Sequence, residues 1–104
     1  LGLIKMQNME ELAGHAAAAT ALLKELANEN RLMIFCCIGD QELSVSELNK
    51  CVPLAQSALS QHLARLRKGG FLATRREAQT IYYRLADDKV TQIIQTLKSI
   101  YCPE

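Results

Sequence analysis

The chain has 104 residues, of which 49% are hydrophobic, and a formal net charge of +1. This is the length of one small domain with a limited core, and the longest wholly apolar run, residues 32–38, is far too short to span a bilayer. The first residues lack the pattern of a secretory signal peptide. We therefore expect a single domain over residues 1–104 that works in the cytoplasm, with no membrane partner.

The N-terminal part predicts a helix that packs against another helix. Residues 1–7 are expected to form a loose end, and Asn8 with Glu11 marks a helix start. Apolar residues then recur at alternating spacings of four and three, which is the narrow seam of a helix–helix contact: Leu12, Ala16, Ala19, Leu23 and Leu26. We expect the seam to make contacts both within the chain and with a second chain.

The next segment predicts a buried central helix. Residues 32–38 are apolar on all sides, so their periodicity does not distinguish a buried strand from a buried helix. Asn28 before the run is a favourable N-cap, and Gly39 followed by Asp40 is a favourable end. These flanking residues favour the helix.

Residues 44–68 predict a helix-turn-helix. The sequence Ser44-Val45-Ser46-Glu47 has the spacing of a capping box, and Pro53 ends the short helix that follows. A second helix is predicted over residues 56–68, with Leu59, Leu63 and Leu66 on one face. The two helices are separated by a short turn, as the motif requires.

The second helix has the composition of a DNA-recognition helix. No acidic residue occurs between Pro53 and Arg76, and short hydroxyls, amides and arginine can reach phosphate oxygens and base edges in a major groove. The alternative is an ordinary solvated helix face. We predict that the major-groove contacts come from Gln56, Ser57, Ser60, Gln61 and Arg65, and that Arg65→Ala weakens DNA binding.

A basic hairpin follows the recognition helix. Residues 71–76 and 80–85 are two β-prone runs around Glu77-Ala78-Gln79, and together they predict a wing over residues 71–85. We expect Arg75, Arg76 and Gln79 to contact the minor groove or the DNA backbone. The charge distribution supports this, because residues 53–86 have a net charge of +5 (six basic residues, one acid) and the rest −4 (six basic, ten acidic).

The C-terminal helix, over about residues 87–102, carries a broad apolar stripe. Asp87 or Asp88 is its expected N-cap. A small domain has too little remaining surface to cover this stripe, so we predict a homodimer through helices 9–26 and 87–102 and, with it, a palindromic operator. The predicted fold is mainly α with a β-hairpin wing, in the order α-α-α-α-β-β-α.

The cysteines and histidines do not form a recognisable metal or catalytic motif. The four cysteines contain no CxxC pair, and the only histidines are His15 and His62. We therefore expect no metal site, no cofactor and no enzyme activity. Structural disulfides are not presumed in a cytosolic protein, and Cys51 is expected to be a packing residue.

The whole pattern resembles the ArsR-type winged-helix repressors. The motifs that carry the likeness are SVSEL, QSALSQHLARLRKGG and REAQTIYYRL, which begin at residues 44, 56 and 76. Metal-sensing members commonly carry an ELCVC thiolate pair, where residues 42–46 here read ELSVS, or Asp and His ligands on the last helix, which here contains no histidine. Ala55 also departs from the Ser or Thr expected as N-cap of the recognition helix.

The segments RLMIFCC and SIYCPE resemble the cysteine positions of the sulfide- and persulfide-responsive branch, the BigR-like and HlyU-like regulators. The resemblance implies that Cys36 pairs with Cys102, and that reactive sulfur species bridge them and release the operator. Cys37 is either a competing thiol or a packing residue. The open alternatives are a peroxide-sensing switch, an anti-repressor, a metal-responsive repressor, a protein-interaction module and a thiol enzyme.

Overall fold

The computed structural model describes the backbone of residues 6–103 and the side chains of residues 8–103. The elements follow in the order α1 Met6–Gly14, α2 Ala16–Leu26, α3 Glu29–Ile38, β1 Leu43–Ser44, α4 Val45–Cys51, α5 Gln56–Lys68, β2 Leu72–Glu77, β3 Thr80–Leu85 and α6 Asp88–Tyr101. The predicted winged helix-turn-helix is confirmed, with α4 and α5 as its two helices and β2–β3 as its wing. The predicted loose end at residues 1–7 lies mostly outside the described residues, although α1 already includes Met6.

The N-terminal segment differs from the single helix that was predicted. The chain leaves helical geometry at His15 (φ −109°, ψ 5°), where the His15 amide donates to the Leu12 carbonyl over 3.0 Å. Gly14 precedes this break, and glycine in a helix interior costs about 1 kcal/mol relative to alanine. Two shorter helices, α1 and α2, therefore replace one.

The centre of the molecule is α3, as predicted. The Asn28 side chain accepts a 3.0 Å hydrogen bond from the Arg31 amide and caps the helix, and Gly39 ends it with a positive φ of 55°. Leucines of α5 and residues of α4 and α6 surround α3 in one core. Its members are Leu26, Ile34, Phe35, Ile38, Leu48, Val52, Leu59, Leu63, Leu66, Leu72, Val90 and Ile94.

The strands form a three-stranded antiparallel sheet in the order β1-β3-β2. Strand β1 was not predicted, because two residues are too few to show a periodicity. It pairs Leu43 with Tyr83 and Ser44 with Tyr82, so the middle of β3 is bonded to the segment that starts α4. At the tip, Ala78 has a φ of 55°, a left-handed conformation that a two-residue hairpin turn requires and that glycine adopts more readily.

The terminal helices leave much apolar surface exposed in the protomer. Of the predicted N-terminal seam only Leu26 is buried, so the expected contacts within the chain are largely missing. On α6, whose N-cap is Asp87, Val90 and Ile94 are buried. The large exposed apolar side chains on these helices include Leu12, Leu23, Ile100 and Tyr101. No helix in the described part of the chain is long and apolar enough to cross a lipid bilayer.

Candidate DNA interface and cysteine sites

The recognition helix α5 has one buried and one open face. Leu59, Leu63 and Leu66 are completely buried. Ala55 stands at the N-cap without a side-chain hydrogen bond, as the sequence indicated. The residues predicted to contact the major groove all lie on the exposed side of the helix: Gln56, Ser57, Ser60, Gln61 and Arg65.

Three side chains outside α5 fix the geometry of the helix-turn-helix. Ser44 and Glu47 form the predicted capping box at the start of α4, with bonds of 3.2 and 2.9 Å. The Asn49 amide nitrogen donates to the carbonyls of Val52 (3.2 Å) and Leu54 (2.8 Å), so it holds the turn that leads to α5. Sequence reasoning missed Asn49, because its partners are main-chain atoms that a residue pattern does not reveal.

Arg65 differs from its neighbours because its guanidinium has a partner inside the protein. It donates two hydrogen bonds to Glu25 of α2, from Nε to Oε1 (2.8 Å) and from an Nη to Oε2 (2.9 Å). The Glu25 side chain is only 11% exposed, whereas that of Arg65 is 56% exposed. Arg65 stays a predicted DNA contact, and its two hydrogen bonds also join α5 to α2.

A second arginine supports Glu25 from the other side. Arg31 donates to the main-chain carbonyls of Glu25 (2.8 Å) and Lys24 (3.2 Å), and its Nε lies 3.5 Å from Glu25 Oε1. The hydrogen bonds from Arg65 hold the pKa of Glu25 below its ordinary value, with the charge of Arg31 adding to the effect and burial opposing it. The two arginines thus keep a buried carboxylate ionised at the end of α2.

The predicted contact residues of the wing are exposed and held by weaker partners. Arg75 bonds to Glu42 (2.9 Å) and Glu77 (2.7 Å), and its guanidinium lies 4.8 Å from the centre of the Tyr82 ring. Both acids are more exposed than Glu25, with Glu77 at 67%. Arg76 donates to the Ala78 carbonyl over 3.3 Å, and Gln79 is exposed at the tip.

The wing and the recognition helix form a basic surface that is partly neutralised from within. Glu25, Glu42 and Glu77 pair with Arg65 and Arg75, and Arg84 lies 3.8 Å from Glu42. In α5 and the wing, both within the described residues, three further basic side chains form no ion pair with an acid: Arg67, Lys68 and Arg76. These cations are the most available partners for phosphate oxygens.

Cys36 and Cys102 lie where helices α3 and α6 meet. Lys98 Nζ donates a 3.2 Å hydrogen bond to the Cys36 carbonyl, and the Lys98 carbonyl accepts 2.7 Å from the Cys102 amide, one turn further along. Burial raises the pKa of the Cys36 thiol, the Lys98 ammonium opposes this, and negative charge on Cys102 adds to it. Cys36 is half-buried and Cys102 is exposed, and both are free thiols.

Cys37 and Cys51 are disulfide-bonded, with their Cα atoms 6.3 Å apart. The expectation that Cys51 is a packing residue is therefore wrong: Cys51 is exposed, and its sulfur is bonded to Cys37. The sequence separation of 14 residues gave no sign of this contact, because it depends on how α4 folds back onto α3. Within the described ranges no group of three or more His, Cys, Asp and Glu side chains could hold a metal ion.

Known proteins resemble this chain over most of its length. Residues 26–75 match a family model described as a helix-turn-helix domain. The transcriptional activator HlyU of Vibrio cholerae is 50% identical over 95 residues, which are 91% of this chain and 88% of that protein. The biofilm growth-associated repressor of Agrobacterium fabrum is 43% identical over 98% of this chain and 85% of that protein.

Solved structures agree with the sequence relatives. The crystal structure of the repressor BigR from Xylella fastidiosa superposes with a TM-score of 0.84 at 36% identity, covering 92% of this chain and 98% of that one. The regulator HlyU from Vibrio vulnificus gives a TM-score of 0.83 at 50% identity, covering 91% and 99%. The relatives are thus transcription regulators that this chain matches nearly end to end.

Proposed function

The chain belongs to the ArsR family of winged-helix transcription regulators, in its HlyU- and BigR-like branch, and from that premise we propose that it is a cytoplasmic repressor that senses reactive sulfur species. It binds a palindromic DNA operator as a homodimer. It releases the operator when reaction with a persulfide joins Cys36 to Cys102 through a disulfide or polysulfide bridge.

The observation that carries the sensing proposal is the junction between α3 and α6. Lys98 makes a hydrogen bond to each of the two free cysteines: its ammonium donates to the Cys36 carbonyl, and its carbonyl accepts from the Cys102 amide. The charge of Cys102 also raises the pKa of the Cys36 thiol, which supports a short distance between the two sulfur atoms. A bond at this junction connects the core helix to the helix proposed for dimerisation.

The exposures of the two thiols suggest the order of reaction. Exposed Cys102 attacks the outer sulfur of a persulfide RSSH as thiolate, giving Cys102–S–SH and RSH. The Cys36 thiolate then attacks the Cys102 sulfur and displaces HS⁻, which leaves as hydrogen sulfide, so a disulfide forms without another oxidant. The half-buried position of Cys36 protects it from direct attack by bulky reagents.

The homodimer is supported by the exposed apolar surface of the terminal helices. An open groove of about 660 Å³ lies between α2 and α6, and its lining includes Ala18, Ala19, Leu22, Phe71, Ile93 and Leu97. A second copy of the chain that buries this groove accounts for an apolar surface too large for a small monomer. Sedimentation equilibrium should give twice the protomer mass of 11.6 kDa.

The DNA contacts are proposed from the open face of α5 and the wing. Gln56, Ser57, Ser60 and Gln61 reach base edges and phosphates of the major groove. Arg75, Arg76 and Gln79 contact the backbone or the minor groove beside it. Arg65 is assigned to positioning the helix, because Glu25 holds two of its five N–H donors.

The test is operator affinity measured by fluorescence anisotropy on the reduced protein and after a persulfide donor, hydrogen peroxide or zinc. Persulfide alone should abolish binding, and Cys36→Ser should bind the operator but ignore the donor. Unchanged induction of Cys36→Ser would rule out this sensing site. Loss of operator binding with hydrogen peroxide as well would indicate a general thiol-oxidation switch. A change in operator binding with zinc alone would indicate a metal sensor.

A second candidate is an activator or anti-repressor with the same DNA surface, favoured by the name of the 50% identical relative. A promoter fusion distinguishes the two modes. Deletion of the gene should raise transcription from the target promoter if the protein is a repressor. It should lower transcription if the protein displaces a silencing protein.

A further inference from the structure

The adjacent cysteines of α3 lead to different parts of the molecule. Successive residues of a helix point about 100° apart, so neighbouring side chains meet different surroundings. Cys36 lies toward Lys98 of α6 and Cys102 just after that helix, whereas Cys37 is bonded to Cys51 of α4. Each cysteine of the pair thus connects the central helix to a separate element.

The Cys37–Cys51 contact lies at a sensitive point of the helix-turn-helix. Cys51 is the last residue of α4, and Asn49 closes the turn that follows it. The Cα atoms of Cys37 and Cys51 are 6.3 Å apart, within the range that disulfides span, about 4.4–6.8 Å. Leu48 and Val52 on either side are buried in the core, which keeps the two cysteines in register.

We propose that Cys37 and Cys51 form a second thiol–disulfide pair, separate from Cys36 and Cys102, that fastens the first helix of the helix-turn-helix to the central helix. Exposed Cys51 reacts first with a hydroperoxide: its thiolate attacks one oxygen, gives a sulfenic acid and releases water or an alcohol. The Cys37 thiolate then displaces the hydroxyl as water. Two thiols lose two electrons and two protons, and the peroxide is reduced.

The bond has two consequences for the regulator. It restrains the stretch from Cys37 to Cys51, a sequence separation of 14 that includes β1 and α4, and so raises the free energy of an unfolded or partly opened helix-turn-helix. It also occupies Cys37, which would otherwise compete with Cys36 for the persulfide formed on Cys102. The second pair therefore keeps the DNA-binding motif folded under oxidants and restricts the choice of partner for Cys102.

The experiment uses the full chain with Cys36→Ser and Cys102→Ser, so that failure of the sulfur sensor cannot affect the result. The protein is treated with one equivalent of hydrogen peroxide, alkylated and digested with trypsin. Cleavage after Arg31, Lys50 and Arg65 separates Cys37 (residues 32–50) from Cys51 (residues 51–65). We expect these peptides to be joined within one chain, and the Tm to rise by about 10 °C over the reduced form.

The matched control adds Cys51→Ser to the same background. It should give no linked peptide and no oxidant-dependent rise in Tm, and since Cys51 is exposed its replacement should leave the reduced fold intact. Two alkylatable thiols after oxidation would overturn the proposal. So would a bond between chains on a non-reducing gel, or an oxidised protein whose Tm equals that of its reduced form.

Discussion

The recognition helix and the wing are both basic, but their arginines are held in different ways. Arg65 is bidentate to a carboxylate that is 11% exposed, in a site completed by Arg31. Arg75 pairs with two acids at the surface and lies over an aromatic ring. Buried partners restrict a side chain, while exposed ion pairs are worth little and exchange easily. One arginine therefore positions its element, and the other is free to exchange carboxylate for phosphate.

The largest effect should come from removing the carboxylate beneath α5. Glu25→Gln takes away two charged hydrogen bonds and leaves Arg31 near a neutral amide, so the unfolding free energy should fall by on the order of 2 kcal/mol. Glu42→Gln, the matched change under the wing, should cost less than about 0.5 kcal/mol. Urea unfolding of both variants at neutral pH measures the difference. Equal losses would mean that the two arginines are held alike.

Acidification should abolish the contribution of Glu25. Because the folded-state pKa of this carboxyl is lowered, its stabilisation is fully present above the pKa of the unfolded chain and is lost as the pH falls through the folded-state value. The gap in unfolding free energy between the wild type and Glu25→Gln should therefore shrink steadily below about pH 4.5. If the unfolding free energies of the wild type and Glu25→Gln differed by the same amount at every pH, the ionised pair of Glu25 and Arg65 would be contradicted.

DNA titrations over a range of salt concentrations separate the positioning arginine from a phosphate contact. Arg76→Ala should weaken binding to operator and unrelated DNA alike and reduce the salt dependence by about one unit per contact. Arg65→Ala should weaken operator binding with an unchanged salt dependence, because α5 loses its support and no phosphate contact is removed. A shallower slope for Arg65→Ala would restore Arg65 as a direct DNA contact.

A small change in the opposite direction, a gain in stability, should come from the tip of the wing. Ala78 has a positive φ, so Ala78→Gly relieves the strain of a side chain in the left-handed region and should stabilise the protein by up to about 1 kcal/mol. Thermal unfolding measures this, with Gln79→Gly as the control, since Gln79 shows no such backbone conformation. A loss of stability in Ala78→Gly would show that flexibility gained in the unfolded chain outweighs the strain.

Local patterns predicted most of the fold, and contacts across the chain were missed. The caps at Asn28, Ser44 and Asp87 were readable because each bonds within three residues of itself. The leucine stripe of α5 was readable from its period. The Glu25–Arg65 pair joins residues 40 apart, and the Cys37–Cys51 bond joins residues 14 apart, so neither leaves a local pattern.

In the candidate site, too, local features were predicted from the sequence and long-range contacts were not. Exposure of the predicted DNA-contact residues followed from helical period and hairpin alternation. Which of two adjacent cysteines faces α6 depends on how that helix docks after the wing is complete, and only the resemblance to known regulators indicated Cys36. The role of Arg65 depended on the position of α2, a helix whose own start was misplaced.

The two-residue strand β1 also has a consequence for how such regulators diversify. Because Leu43 and Ser44 bond to Tyr83 and Tyr82, the middle of β3 is fixed to the start of α4, while Glu77 and Thr80 beside the turn pair with each other. Insertions at the turn can therefore lengthen the wing while the pairing of β1 with β3 stays in place, whereas a single deletion within β3 shifts its register against both neighbouring strands. Attempts to retarget the protein to new operators should graft the turn and keep the part of β3 that pairs with β1.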